Sequence, residues 1–487
     1  MPRIPMSLGL GSYESISVPF SAQRCINMYA GIAQEQALND YALFKTPGIK
    51  AFATVADKPS RGAVVMGGVY YVILGQELYS VDSLGADTLI GTIAGTKRVS
   101  MAHNGTKLAI VTPGESGLNC YVYNATTDVL VQVSDTDFLN ASSVCFKDGY
   151  YIFTKTDSNI FFISALNDPL TYDALDFGTA ELAPGNITGC HVNHDELYIF
   201  KREITEVFQN IGGSGFPFQR IPGASYEKGS HSKYSPIQWG GKFYFVGGGA
   251  NEKTGVFAAA GAAEPYRIST DAIENEIQKF TDTEIGNSYS FTYSISGSSF
   301  VGFTFRSVNI TPRTFVYNIT ASELKGRNIW FEQQSGVDEN AWRVESVDYV
   351  YSKLLVSDTT DGRIGELDPD TNTDYSEVIL REKTTGPLTS QGESLFVQSM
   401  ELVVDAGKGL ITGQGSDPEI MMSFSDDGAR TFQGQFTRKL GKIGQYFRRV
   451  EWRRLGRIPY NRVWKFTVSD PIDITLIKLE AVVTGER

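Results

Sequence analysis

One stretch of this chain gathers several side chains of the kinds that bind metals: Cys190, His191, His194, Asp195 and Glu196. Such groups, converging within a few ångströms, would hold zinc or move protons. Their spacing argues against it. The surrounding "GCHVNHDELYIF" alternates as a strand, so residues three apart face opposite sides, and His194-Asp195 falls where the chain must turn. The stretch is therefore read as structural. The other histidines, His103 and His231, have no nucleophile and acid beside them in sequence, which leaves open only a triad assembled across the fold. Cys25, Cys120, Cys145 and Cys190 form no C-x-x-C pair and are expected to be buried free thiols. No catalytic, cofactor-binding or metal-ligating residue is assigned.

"SDDGARTF", Ser425 to Phe432, looks like the Asp-box hairpin turn of sialidases and many unrelated β proteins, with Ala429 where glycine is usual. A single copy reads as a folding device whose side chains satisfy turn backbone groups. Three glycine-rich stretches, "GGSGFPFQRIPG" from Gly212, "VGGGANEKTG" from Val246 and "DAGKGLITGQGSDPE" from Asp405, lack the Walker pattern and read as loops. Loops of this length usually contact something or move. In a channel protein the stretches 212–235 and 405–418 are the candidates for a gate, with Phe216, Phe218, Arg220, Lys408 and Leu410 as the gating side chains.

The strongest electrostatic feature runs from Arg438 to Lys465. It sets ten Lys or Arg against the single Glu451, about +9, and leaves the rest of a chain of net charge −12 near −21. Tyr446, Phe447, Trp452 and Trp464 interleave with the charges. A solvated strand face, an interface with another protein and contact with DNA all fit the pattern. The interface reading names Arg448, Arg449, Arg453, Arg454, Arg457 and Arg462. Overall acidity speaks against non-specific nucleic-acid affinity of the whole molecule.

These features need a scaffold, and the composition indicates which. Forty-nine glycines with 24 tyrosines and 29 phenylalanines describe a turn-rich all-β protein. Paired apolar runs around short turns recur: at Gly67-Gly68, Asn104-Gly105, Asp148-Gly149, His194-Asp195 and Gly240-Gly241, with two further candidates from Tyr289 and Arg343. The spacing of roughly 40 to 50 residues is that of propeller blades. A unit this small cannot bury its own apolar face, so the units must pack on one another. The expectation is a β-propeller of about six or seven blades over 61–373, an N-terminal arm over 1–60, and a sandwich-like C-terminal β domain over 374–487; two stacked sandwiches are the alternative. "DAIENEIQKF" is the one clear helix, with Asp271 as its cap. The N-terminus lacks the apolar core of a signal peptide and no segment is long enough to span a membrane, so synthesis and folding in a cytoplasm are expected.

Three stretches bear on the family: "RCINMYAG" (24–31) followed by "LFKTPGIKAF", "TKRVSMAHNG" (96–105), and "RRVEWRRLGRIPYNRVWKFTVSDPIDITL" (448–476). In order and spacing they resemble the tail hub, or nozzle, of short-tailed bacteriophages, also called the packaged-DNA stabilisation protein. The resemblance implies a non-enzymatic virion tail protein, with no cofactor, that forms a homohexameric ring extending the DNA channel below the portal and adaptor rings. It also implies a tail needle or plug, and tailspikes or tail fibres, as partners, with double-stranded DNA passing without sequence-specific binding. The rival from another class is a carbohydrate-binding or sialidase-like propeller.

Overall fold

The computed structural model describes residues 3–115, 117–213, 215–261, 263–389 and 395–485. Seven antiparallel sheets follow one another along most of this length and close into a ring. Blades one to four are four-stranded meanders over 60–92, 100–132, 141–179 and 187–226. Their inner hairpins turn where glycine or a polar residue accepts a left-handed backbone: Gly67 and Gly68 at φ 60° and 79°, Asp148 and Gly149 at 51° and 87°, His194 at 51°. Blade five, 229–267, splits its inner position between Gly229–Ser230 and Ile237–Trp239, because the residues between them leave the sheet. Blade six occupies 289–332 and blade seven 344–368.

The ring closes through the N-terminus. Gly48–Ala56 pairs antiparallel with Gly362–Asp368 and supplies the outer strand of blade seven. These residues, expected in the arm, belong to the propeller. A strand whose partner lies about 300 residues away has no hairpin turn to announce it. The inner strand Val344–Val350 lies against Ser60–Met66 of blade one, and Tyr70, Val72 and Leu74 bury against Leu355 and Ile364 across that seam.

The C-terminal part is a β-sandwich to which the arm contributes strands. One sheet runs Val450–Ile458, Leu395–Val404, Thr475–Gly485, Tyr41–Lys45, Met28–Ile32, with Ile4–Met6 also on Thr475–Gly485. The other runs Gln433–Lys439, Glu419–Ser425, Asn461–Val468, Arg381–Thr384, Cys25–Ile26, and continues through the pair Ile26 and Glu332 into blade six. The core is equally continuous: Phe291, Phe300 and Trp342 of the propeller, Tyr29 and Leu43 of the arm, and Trp452 and Trp464 of the sandwich form one cluster. Each such side chain contributes about 1.5–3 kcal/mol through burial. At the same junction Glu332 receives Arg24 at 2.8 Å, Arg313 at 2.7 Å and the Ser12 hydroxyl at 3.1 Å. Burial alone would raise its carboxyl; the two guanidinium groups outweigh that and hold it at about 2.

The helix at Asp271–Ile277 is capped by Thr270, not Asp271: the Thr270 side chain accepts from the Ile273 amide. Two more short helices follow, Asp282–Gly286 and Ile319–Lys325, the second stopped by Gly326 at φ 63°.

Candidate functional site

The axis of the propeller is filled. Arg98, between blades one and two, reaches Glu345 of blade seven at 2.8 Å and lies over the rings of Tyr289 (4.5 Å) and Tyr234 (5.5 Å). Tyr234 belongs to the segment that leaves blade five, and its hydroxyl donates to the Arg98 carbonyl at 2.8 Å. The Ser290 amide of blade six donates to the Tyr234 carbonyl at 3.3 Å, and Lys233 passes against Gly189 of blade four. Burial and the neighbouring Lys97 charge push the Lys233 ammonium down to about 8. Residues of blades four to seven and of the link between blades one and two thus meet at the centre. An arginine stacked on two tyrosines and paired with a buried carboxylate is a closed, charge-balanced plug. Arg98 and Tyr234 lie within quoted stretches, but nothing in their spacing signals that they meet.

The basic segment divides into three kinds of position. Arg462, an expected interface residue, is internal at 3% exposure: it forks onto Asp426 with two 2.6 Å bonds, donates to the Leu455 and Arg457 carbonyls, and stacks on Phe424 at 4.1 Å. Alternation along Asn461–Val468 turns Arg462 inward with Trp464 and Phe466, so it is a core cation and not an interface residue. Arg449 and Arg453 are exposed but paired, the first with Glu401 at 2.6 Å, the second with Glu451 at 2.9 Å. Arg448, Arg454 and Arg457 face solvent. Arg454 adopts φ 61° and Gly456 φ 78° in Val450–Ile458, the edge strand of its sheet. A bulge at that position discourages indiscriminate strand pairing.

The two gate candidates come apart. Phe218 is 5% exposed within Phe218–Tyr226, the outer strand of blade four, and Phe216 packs edge-on against Phe161 at 5.4 Å. Both are packing residues between blades three and four, so neither swings as a gate. Arg220 is exposed and lies 3.7 Å from Glu206. In the second loop Lys408 is tied to Asp473 at 2.6 Å and Asp405 at 2.7 Å, while Leu410 is exposed at the tip.

The histidine stretch behaves as a hairpin. Cys190 is buried, Asp195 projects into solvent, and burial alone pushes the His191 imidazole down to about 4. His231 bonds the Thr254 hydroxyl at 2.9 Å. All four thiols are free, Cys25, Cys120 and Cys190 buried and Cys145 half-buried. In the Asp-box turn Asp427 accepts from the Arg430 and Thr431 amides at 2.9 and 3.0 Å and from the Ser425 hydroxyl at 2.6 Å. Its carboxylate is consumed by its own hairpin. Among the described residues no helix is long and apolar enough to cross a membrane.

Two family models cover this geometry from end to end: "Bacteriophage P22 Gp10, beta-propeller" matches residues 2–372 and "Bacteriophage P22 Gp10, beta-sandwich" matches residues 381–484. The chain belongs to the phage P22 Gp10 family. Along its whole length this Gp10-family chain is similar to the "Tail hub protein gp10" of Salmonella phage P22, 24% identical over 496 residues that span 97% of this chain and 98% of that one. Its role is accordingly structural, as a tail hub component located in the virion tail. Among solved structures, virginiamycin B lyase from Staphylococcus aureus shares 10% identity at a TM-score of 0.42, covering 64% of this chain and 95% of that one. The extracellular domain of the putative one-component system BT4673 from B. thetaiotaomicron shares 12% at 0.41, covering 84% and 48%. Neither carries an argument about what this Gp10-family chain does.

Proposed function

We propose that the chain is one subunit of a homohexameric tail nozzle that extends the DNA channel below the portal and adaptor rings, retains packaged DNA, and releases it on ejection. The observation that carries this reading is the Arg98 plug. With the propeller axis closed, DNA has no route through a subunit, and a channel must lie between subunits. The propeller and sandwich, welded by one core, then serve as a stiff wall segment, and the chain's net charge of −12 gives that wall a mild repulsion toward phosphate. Exposed Arg448, Arg453, Arg454 and Arg457 are the proposed contacts with acidic protein partners, drawn from a neighbouring subunit, the adaptor ring, needle or plug, and spikes or fibres.

Negative-stain imaging of the purified full-length protein, with and without the adaptor ring, tests the reading. Central-holed, six-fold particles are expected. Single subunits under both conditions would remove the ring. The glycan-binding alternative has its own assay: saturable binding of a sialoside to the isolated chain would revive it, although Asp427, spent on its turn, offers no support.

A further inference from the structure

Two exposed apolar patches, one flanked by Lys442 and Arg448 and the other by Asp173 and Asp176, sit on opposite sides of the ring. The first is a projection on the sandwich. The Gly444 amide donates to the Gly407 carbonyl at 3.1 Å, Leu410 to Gly415 at 2.8 Å, and Leu440 to Pro418 at 2.8 Å, so the loops around 405–418 and 440–449 are laced together. Gly407, at φ 82°, lets them touch: a Cβ there would meet the Tyr446 ring at 2.9 Å. This fixed base holds Ile411, Ile443, Tyr446 and Phe447 out in water at 82, 57, 68 and 98% exposure. Lys442 and Arg448 flank them, and among the described residues neither has a carboxylate partner. So much contiguous apolar surface on a fixed base marks an interaction site.

The second patch is the outer strand of blade three, Asp168–Thr179, an edge strand of twelve residues. It exposes Leu170, Leu175 (79%) and Phe177, and Leu182 follows. Edge strands of this length are ordinarily protected by lysines. This one carries none, and instead sets Asp173 and Asp176 among the leucines, with Glu181 just beyond. Among the described residues none of these three carboxylates has a cationic partner, and Asp176 is pushed up by burial and by the charge of Asp173.

Their relative position follows from the ring. The sandwich is joined to blades six and seven. In a ring of seven, blade three lies three steps from both, on the far side. One patch is basic and aromatic, the other acidic and leucine-rich.

We propose that the Ile411/Ile443/Tyr446/Phe447 projection of one copy seats on the Asp168–Thr179 rim of the next, a head-to-tail contact repeated around the ring. This rests on the ring reading above. A contact between two different patches is heterologous, and it closes a ring when the rotation from one copy to the next divides a full turn. A membrane or DNA would satisfy the basic projection and be repelled by the rim. A second copy supplies both halves in equal number, with apolar surface to bury and opposite charges to set the register.

The test uses the full-length chain under conditions in which the wild type forms rings. Lys442→Glu with Arg448→Glu is expected to lower the ring count by about tenfold or more, because like charges then face each other. Adding Asp173→Lys and Asp176→Lys restores it. In a separate chain, Phe447→Cys with Leu175→Cys gives a ladder of covalent multimers on oxidation. The single variants do not, nor does Phe447→Cys paired with Val308→Cys on blade six, a site 98% exposed. The contact is overturned by rings that survive the charge reversal, or by a Phe447→Cys/Leu175→Cys chain that assembles without cross-linking. It is overturned equally by a ladder from the control pair. A wild type that forms no ring with or without the adaptor sinks the ring reading itself.

Discussion

Blades one to four and blades six and seven look alike in cross-section but are built differently. Each of the first four comes from one uninterrupted stretch, its strands joined by short turns. Blade six runs on into the sandwich through Glu332 and Ile26, and blade seven is completed by Gly48–Ala56. The first kind is stabilised by contacts between near neighbours in sequence. The second closes only when residues hundreds of positions apart meet, at a greater loss of chain entropy. The cooperativity of the whole molecule therefore resides at the joint, where one hydrophobic core serves propeller, arm and sandwich.

Paired substitutions break or sharpen this contrast. Trp342→Ala at the joint and Phe153→Ala in blade three each remove a fully buried aromatic, at about 3–5 kcal/mol. The joint variant is expected to lower the unfolding of both propeller and sandwich together, the blade variant that of the propeller first, as followed by calorimetry and limited proteolysis. Separate sandwich melting in Trp342→Ala but not in Phe153→Ala would reverse the assignment. Arg462→Ala removes a buried guanidinium from the half-buried Asp426 and should cost about 1.5–3 kcal/mol, whereas Arg453→Ala, exposed, should cost no more than about 1 kcal/mol. Chemical denaturation midpoints distinguish them.

Ala53→Pro, in the strand that closes blade seven, should cost about 1–3 kcal/mol, because proline cannot donate to the ladder. It should also open the ring to protease near Gly362. Leu130→Pro, in the local outer strand of blade two, should leave the ring closed. Acid should attack the joint as well. Glu332 has its folded pKa held at about 2, below the ordinary value of about 4.3, so its stabilisation is complete above that ordinary value and is lost as pH falls toward 2. Glu332→Gln should flatten the acid limb of the melting-temperature profile. The smallest effect belongs to a position remote from the joint: Ala429 sits at φ 67°, and Ala429→Gly should raise stability by about 1 kcal/mol.

How much of this was legible in the sequence follows the same division. The hairpins at Gly67, Asp148, His194 and Gly240 could be read because their turn residues and alternating flanks lie within a dozen positions of each other. The Asp-box could be read as a folding device for the same reason, and so could the turn at His194. Arg462 was misplaced because a basic run has no marker for which of its members points inward; the alternation of Asn461–Val468 decides it only once the neighbouring strands are known. Phe216 and Phe218 follow glycines and so look like loop residues in sequence, yet their rings pack on Phe161 and Tyr150 of the preceding blade.

By itself, the order of residues determined that this protein is all-β and built of recurring small sheets, that its positive charge is concentrated in one late segment, and that it resembles phage tail hubs. These are properties of composition, period two and short-range turn chemistry, which act within a few residues. Only the tertiary structure decided that there are seven blades, that the N-terminal strands weld the ring to the sandwich, that Arg98 closes the axis, and that a basic projection and an acidic rim lie on opposite sides. Each of those facts depends on which distant segments bury against one another, and burial, unlike a turn, leaves no mark on either partner alone.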